Sequence, residues 1–182
     1  MTAQPHGPLT LAEFPAWELR QQAKHEFVDG HVYGFVGGTI EHNAISVFLI
    51  EKIAPAARPC RTYGSDMLIA TFSSSRYADL ALTCDERDRA AGATIIRYPK
   101  LIVEVLSPST ASDDLGPKMR EYQTIETLEE YLTLDSRRRW AQVLRRTGTD
   151  WLLAAPLTRG ALEIASVGTT LDLDQLYRDC GL

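Results

Sequence analysis

No stretch of this chain stays apolar for long enough to cross a bilayer: runs such as Leu101 to Leu106 are broken by charge or end within a few residues. The N-terminus, with Pro5 and Pro8 and no basic-then-apolar pattern, does not read as a signal peptide, so a cytoplasmic location is the expectation. Cysteine is scarce. Cys60, Cys84 and Cys180 are far apart and odd in number, and no Cys-x-x-Cys spacing offers a zinc or redox site, so all three are expected to be reduced structural residues. Positive charge is also short: 19 Lys and Arg stand against 24 Asp and Glu, a net charge of −5. Because affinity for phosphates comes largely from Lys and Arg, a surface that grips nucleic acid everywhere is excluded, and any such contact must be local. Internal repeats and low-complexity segments are absent too.

What is present suffices for one proper core: 182 residues, 45% of them hydrophobic. Residues before Thr10 read as a loose tail. Thr10-Leu11-Ala12-Glu13 has capping-box spacing and predicts a helix to about Gln22 that turns Phe14 and Trp17 inward. His25 to Val36 alternates β-favouring residues around Asp29-Gly30, a tight-hairpin dipeptide, and so places Glu26 on a strand. Thr39 caps a second helix in which Ile45, Leu49 and Ile53 recur at helical spacing, with His42 on or near that face. Strands are expected over 61–70 and 78–84, separated by a turn at Ser73-Ser74-Ser75, and a polar loop runs on to Pro99. Leu101 to Leu106 is the strongest buried-strand signal, stopped by Ser107-Pro108. Gly116-Pro117 then opens a helix with Lys118 and Tyr122 one turn apart. Strands over 129–134 and 140–145, a weaker one over 151–154 and a short helix near Asp174 complete the pattern, an α/β (α+β) chain.

The chemistry concentrates in two strands. Every residue of Leu101 to Leu106 but Glu104 is aliphatic, and an ionised carboxylate buried there costs several kcal/mol unless a cation or hydrogen bonds offset it. Ala78-Asp79-Leu80-Ala81-Leu82 repeats the pattern with one acid at the start. Two acids on neighbouring buried strands are oxygen ligands of the kind Mg²⁺ prefers, with Mn²⁺ as a substitute, water and substrate phosphate completing the shell. A nearby ammonium would orient the attacking water and stabilise charge growing on phosphorus. Lys118, on the helix that follows the Glu104 strand, is the candidate.

Several strings also carry a family resemblance. Glu26-Phe27-Val28-Asp29-Gly30, Glu41-His42-Asn43, Ser65-Asp66-Met67, Leu101 through Thr110, and Gly116-Pro117-Lys118 through Tyr122 resemble the Uma2-type (DUF820) proteins of the PD-(D/E)XK nuclease superfamily. The resemblance runs roughly from Phe14 to Leu153. It implies a restriction-endonuclease-like domain over 10–182, following a flexible tail over 1–9, with a mixed central β-sheet flanked by helices. It also implies Mg²⁺-dependent endonuclease activity on DNA and a homodimer. By motif, Asp79 matches the family aspartate, Glu104 the glutamate and Glu26 the upstream acid. Two positions depart: Ala78 stands where a proline is expected, and Leu106 where a lysine is expected, with Lys118 supplying the replacement from the next helix.

Other readings of the same residues stay open. Asp79 could accept backbone hydrogen bonds at a strand start, and Glu104 could form a buried ion pair with Lys118 that needs no metal. Glu26 could face solvent; His42 could be a hydrogen-bonded core histidine rather than a ligand or acid-base group. Arg137-Arg138-Arg139, with Arg145 and Arg146, is either a phosphate-contacting ridge or a solvated hairpin tip. The acidic balance, Ala78 and Leu106 also fit a catalytically silent nuclease-fold module that binds DNA or a protein. Metal-free hydrolysis by paired carboxylates, as in glycosidases, lacks an aromatic sugar platform here.

Overall fold

Local chemistry sets the first elements. Thr10 and Glu13 exchange the reciprocal hydrogen bonds of a capping box, with Glu13 Oε2 accepting from the Thr10 amide at 3.0 Å and Thr10 Oγ1 accepting from the Glu13 amide at 3.3 Å. Asp29 (φ 47°) and Gly30 (φ 84°) occupy the two positive-φ positions of a hairpin turn. Thr39 Oγ1 accepts from the His42 amide and caps the second helix. The computed structural model describes every residue except Met1, Pro5, His6, Pro8, Phe35 and Val36, and only the backbone of residues 2–4. The end of the expected hairpin at Phe35 and Val36, and part of the expected tail, lie outside the described residues.

In chain order the elements are β1 (Thr2–Gln4), α1 (Phe14–Glu18), β2 (His25–Val28), β3 (His31–Gly34), α2 (Ile40–Ala56), β4 (Arg61–Gly64), β5 (Leu68–Ala70), β6 (Ser74–Tyr77), β7 (Leu80–Thr83) and β8 (Ile95–Ile96). They continue with β9 (Pro99–Leu106), α3 (Ala111–Asp114), α4 (Pro117–Gln123), β10 (Glu130–Asp135), β11 (Ala141–Thr147), β12 (Asp150–Leu153), β13 (Ala161–Ile164), β14 (Thr169–Asp172) and α5 (Leu173–Asp179). Two mixed six-stranded sheets result, ordered β1-β3-β2-β6-β5-β8 and β12-β11-β10-β9-β7-β4, with β13 and β14 as a separate hairpin. No helix among the described residues is long and apolar enough to cross a membrane.

β9 is the centre of the second sheet, antiparallel to β7 and parallel to β10. Its alternation sorts the core into two layers. Val103 and Val105 join Leu80, Leu82, Leu132 and Leu134 beneath α2 and α5, around Leu49, Ile53 and Leu176. Ile102, with Ala81, Tyr131 and Leu144, packs against Tyr122 and Ile125 at α4. Glu104 shares that second face, since it is two residues from Ile102 and pairs in register with Thr133.

The structure departs from the sequence expectations in identifiable places. Residues 2–4 of the expected tail pair as a strand with β3. The first helix is a single turn beyond its cap, Phe14–Glu18, because Gln21 Nε2 and the 19–20 backbone close on the carbonyls of Trp17 and its neighbours. Ser74 and Ser75 belong to β6 rather than a turn; both are buried, and β6 pairs with β2 and β5. The strand expected over 61–70 is two, β4 and β5, in different sheets.

The cysteine expectation is overturned as well. Cys60 and Cys84 form a disulfide across a Cα separation of 4.2 Å, and Cys180 alone is free. The cause is register: β4 pairs antiparallel with β7 so that Arg61 faces Thr83, and the flanking positions 60 and 84 come opposite one another. Closing a loop of 24 residues in sequence should contribute about 3 kcal/mol through the unfolded chain. Thermal melts of the wild type with and without reductant, and of Cys60→Ser/Cys84→Ser, are expected to show a midpoint lower by roughly 5–12 °C once the bond is lost. Cys180→Ser should leave the midpoint in place, and a wild-type melt indifferent to reductant would remove the bond from the account.

Candidate active site

Three elements deliver carboxylates to one buried ammonium carried by a fourth. Lys118 Nζ, on α4, lies 2.9 Å from Glu104 Oε1 of β9, 3.3 Å from Asp114 Oδ1 of α3 and 3.8 Å from Glu26 Oε1 of β2. All four side chains are at most 7% exposed. The Tyr122 hydroxyl, one turn after Lys118, donates to Glu104 Oε1 at 3.3 Å, and the Tyr131 hydroxyl holds the Asp114 carbonyl at 2.9 Å. The ion pair between Glu104 and Lys118 thus forms, but it is one contact of a larger cluster.

Asp79 precedes β7. Continuing the pairing of Leu80 with Val103 brings it to the Glu104 row. Its Oδ2 accepts from the Val105 amide at 2.7 Å and lies 3.2 Å from His42 Nε2. The backbone hydrogen bond expected of a strand-start acid is therefore present, one residue from Glu104. His42 comes from the first turn of α2 and rests on Gly38, where an added Cβ would stand 2.7 Å from the imidazole Nδ1. It is not a core histidine; it faces the aspartate.

Glu26 is buried, not solvent-facing. Its Oε1 accepts from the Tyr77 amide at 3.0 Å, and its Oε2 lies 3.2 Å from Arg76. Arg76 is itself buried and gathers Asp113 at 2.9 Å and Glu121 at 2.6 Å besides. Asp66, by contrast, pairs with Lys24 at the surface, away from Lys118.

The electrostatics follow from crowding. Glu26, Glu104, Asp113, Asp114 and Glu121 surround two permanent cations, Lys118 and Arg76, and Asp79 stands in the Glu104 row. Burial pushes the Glu104 carboxyl well above the usual carboxylate range against the pull of Lys118, and the charges of Asp114 and Asp79 push the same way. Burial raises Asp114 too, again opposed by Lys118. For Lys118 burial favours the neutral amine, but the attraction of Glu104, Glu26 and Asp114 outweighs it and holds the ammonium protonated. The hydrogen bond to Asp79 raises His42 in spite of partial burial.

This crowding of buried carboxyl groups, which pushes Glu104 and Asp114 toward the protonated form, is the feature a cation would relieve, and the donors are hard oxygens of the type that suit Mg²⁺. Among the described residues no three His, Cys, Asp or Glu side chains form a ready-made metal cage. Asp79 and Glu104 would therefore supply a partial shell that water and substrate oxygens complete.

Sequence reasoning missed Asp114, Arg76, Asp113 and Glu121. Asp114 carried a usable signal, since it sits four residues before Lys118 and faces it across one helical turn. Arg76 carried none, because it follows the three serines and nothing local marks it as buried. Arg145 and Arg146 leave the supposed ridge: Arg145 pairs with buried Glu130 at 2.7 Å, and Arg146 donates to the carbonyls of Leu128 and Ile125.

Known proteins resemble this chain in sequence and in fold. A protein of Synechocystis sp., slr1290, is 35% identical over 179 residues, 96% of this chain and 94% of its own length. A second Synechocystis protein, sll1609, is 33% identical over 133 residues, 70% of this chain and 75% of its own. A crystal structure from Anabaena variabilis, described as "a putative nuclease belonging to DUF820", shares the fold with a TM-score of 0.78 at 16% identity, covering 95% of this chain and 99% of that one. The family model described as "Putative restriction endonuclease" matches residues 11–174, and the chain belongs to that family, Uma2.

Proposed function

We propose that this protein is a metal-dependent endonuclease that hydrolyses DNA phosphodiester bonds, with Asp79 and Glu104 holding Mg²⁺ beside Lys118. The observation that carries the reading is the Lys118 ammonium, 2.9 Å from Glu104 inside a buried cluster that keeps more carboxylates than cations. A purely structural ion pair balances its charges; here the carboxyl groups of Glu26, Glu104, Asp113, Asp114 and Glu121 contact only two cations, Lys118 and Arg76. Family membership supports the same reading.

The bound metal would act as a Lewis acid on the phosphodiester and favour ionisation of a water. The chain's own residues do the rest. The Val105 amide and His42 fix the Asp79 carboxylate, so that its position does not depend on rotamer choice. Tyr122 orients Glu104. Lys118, held protonated, acts through charge and hydrogen bonds: it positions the attacking water and stabilises the negative oxygens of the transition state as the bond to the leaving oxygen breaks. Glu26 assists by keeping Lys118 in place while Arg76 and the Tyr77 amide anchor Glu26 itself.

Four outcomes test this. Calorimetric titration with Mn²⁺ should give binding that Asp79→Ala and Glu104→Ala each weaken by more than the roughly 10–100-fold typical of losing an outer-shell partner. Lys118→Met should retain metal binding yet lose plasmid nicking by about 10²–10³-fold, the scale of one transition-state donor. Without metal the same variant should be destabilised by ~3–5 kcal/mol, because Glu104 and Asp114 lose their counter-charge, with Mg²⁺ restoring part of the loss in a thermal melt. Gly38→Ala, by driving a methyl into His42, should slow nicking while leaving the melt near that of the wild type. DNA binding that ignores chelation, together with no cleavage under any metal, would instead identify a silent nuclease-fold module.

A further inference from the structure

We infer that the β10–β11 hairpin tip, through Arg137 and Arg138, is a contact for the phosphate backbone of the nucleic acid flanking the bond to be cut; this rests on the nuclease reading above. Of the five clustered arginines, Arg145 and Arg146 spend their guanidinium groups internally, on Glu130 and on backbone carbonyls. Arg139 pairs with Asp174 at 3.1 Å on the C-terminal helix. Arg137 and Arg138 remain, with side chains 61% and 71% exposed, and share the single carboxylate of Asp135. One carboxylate between two guanidinium groups leaves net positive charge at the tip.

Position gives that charge a purpose. In the parallel pairing of β9 with β10, Glu104 is opposite Thr133 and Leu106 opposite Asp135, so Asp135 stands on the same sheet face as Glu104, two residues further on, or roughly 7 Å. Ser136 fastens the tip to the end of β9, its amide and hydroxyl both donating to the Leu106 carbonyl, at 3.2 and 2.8 Å. Asp135 orders the tip further, accepting from the Arg137 amide at 2.9 Å and from Arg138 Nε at 2.9 Å. The basic tip is therefore held at a fixed offset from the acidic cluster, on the scale of a nucleotide step. A site crowded with Glu26, Asp79, Glu104 and Asp114 repels a polyanion, and a chain of net charge −5 has no general attraction to replace it. Two exposed guanidinium groups on an ordered tip provide a local one.

The test is fluorescence anisotropy of a labelled DNA duplex with the full-length protein, in Ca²⁺, over 50–200 mM KCl. Arg137→Ala/Arg138→Ala is expected to weaken binding at least 10-fold at the lowest salt and to flatten the plot of log affinity against log salt by about 2, near one unit per lost phosphate contact. Arg137→Lys/Arg138→Lys should restore most of the slope, and Arg97→Ala, an exposed arginine beside the other sheet, should not change it. Mn²⁺ titration should be the same for the double-alanine variant and the wild type. An unchanged slope in the double-alanine variant, when the wild type binds and cuts DNA, overturns the tip's role alone. A wild type that binds no DNA at any salt, yet titrates Mn²⁺, overturns both the tip and the nuclease reading.

Discussion

Burying Lys118 is the constraint to which the rest of the site answers. An ammonium with almost no access to water must have carboxylates around it, and Glu104, Asp114 and Glu26 arrive from a central strand, the short helix after that strand and the opposite sheet. Each of those acids in turn needs a donor. Tyr122 serves Glu104, and Arg76 with the Tyr77 amide serves Glu26. The two six-stranded sheets are thereby joined at their polar centre as well as through the apolar layer of Ile102, Ile69, Ile96 and Tyr122. A polar network of this kind is worth keeping in a core only when every member is satisfied, and here the satisfaction is one-sided: the acids outnumber the cations.

Much of this could be read from the chain before any coordinates. Glu104 announced itself because a carboxylate among aliphatics has a definite cost, and Lys118 because its helix follows that strand directly; the two do meet. The hairpin at Asp29-Gly30, the Thr39 cap and the Thr10/Glu13 box were legible since each depends on a few adjacent residues. What escaped depends on pairings between distant segments. No local pattern says that Ser74 and Ser75 are buried between β2 and β5, and their polarity points to a turn instead. The Cys60–Cys84 bond is a consequence of register between β4 and β7, invisible in a spacing of 24. The β13–β14 hairpin, which covers one face through Leu162, Ile164 and Leu171, alternates weakly enough to pass as loop.

The core layers also explain why one sheet face carries chemistry and the other does not. Beneath α2 and α5 the neighbours of Val103 and Val105 on their face are aliphatic: Leu80, Leu82, Leu132 and Leu134. On the opposite face the short helices α3 and α4 supply Asp114 and Lys118. Glu104 is thus the point where the strand alternation turns a carboxylate toward the layer able to answer it. Glu130, at the start of β10, belongs to the framework instead: Arg145 and the amides of Ala165 and Ser166 donate to its carboxylate.

Arg76 ties three elements together, gripping Glu26 on β2, Asp113 on α3 and Glu121 on α4 with a single guanidinium. A genetic screen for loss of function would recover this position as readily as the residues nearest the chemistry, although it lies one layer away from Lys118's own contacts with Glu104. Sensitivity to substitution is then a map of what holds the site together, and in this fold that map reaches further than the reacting groups.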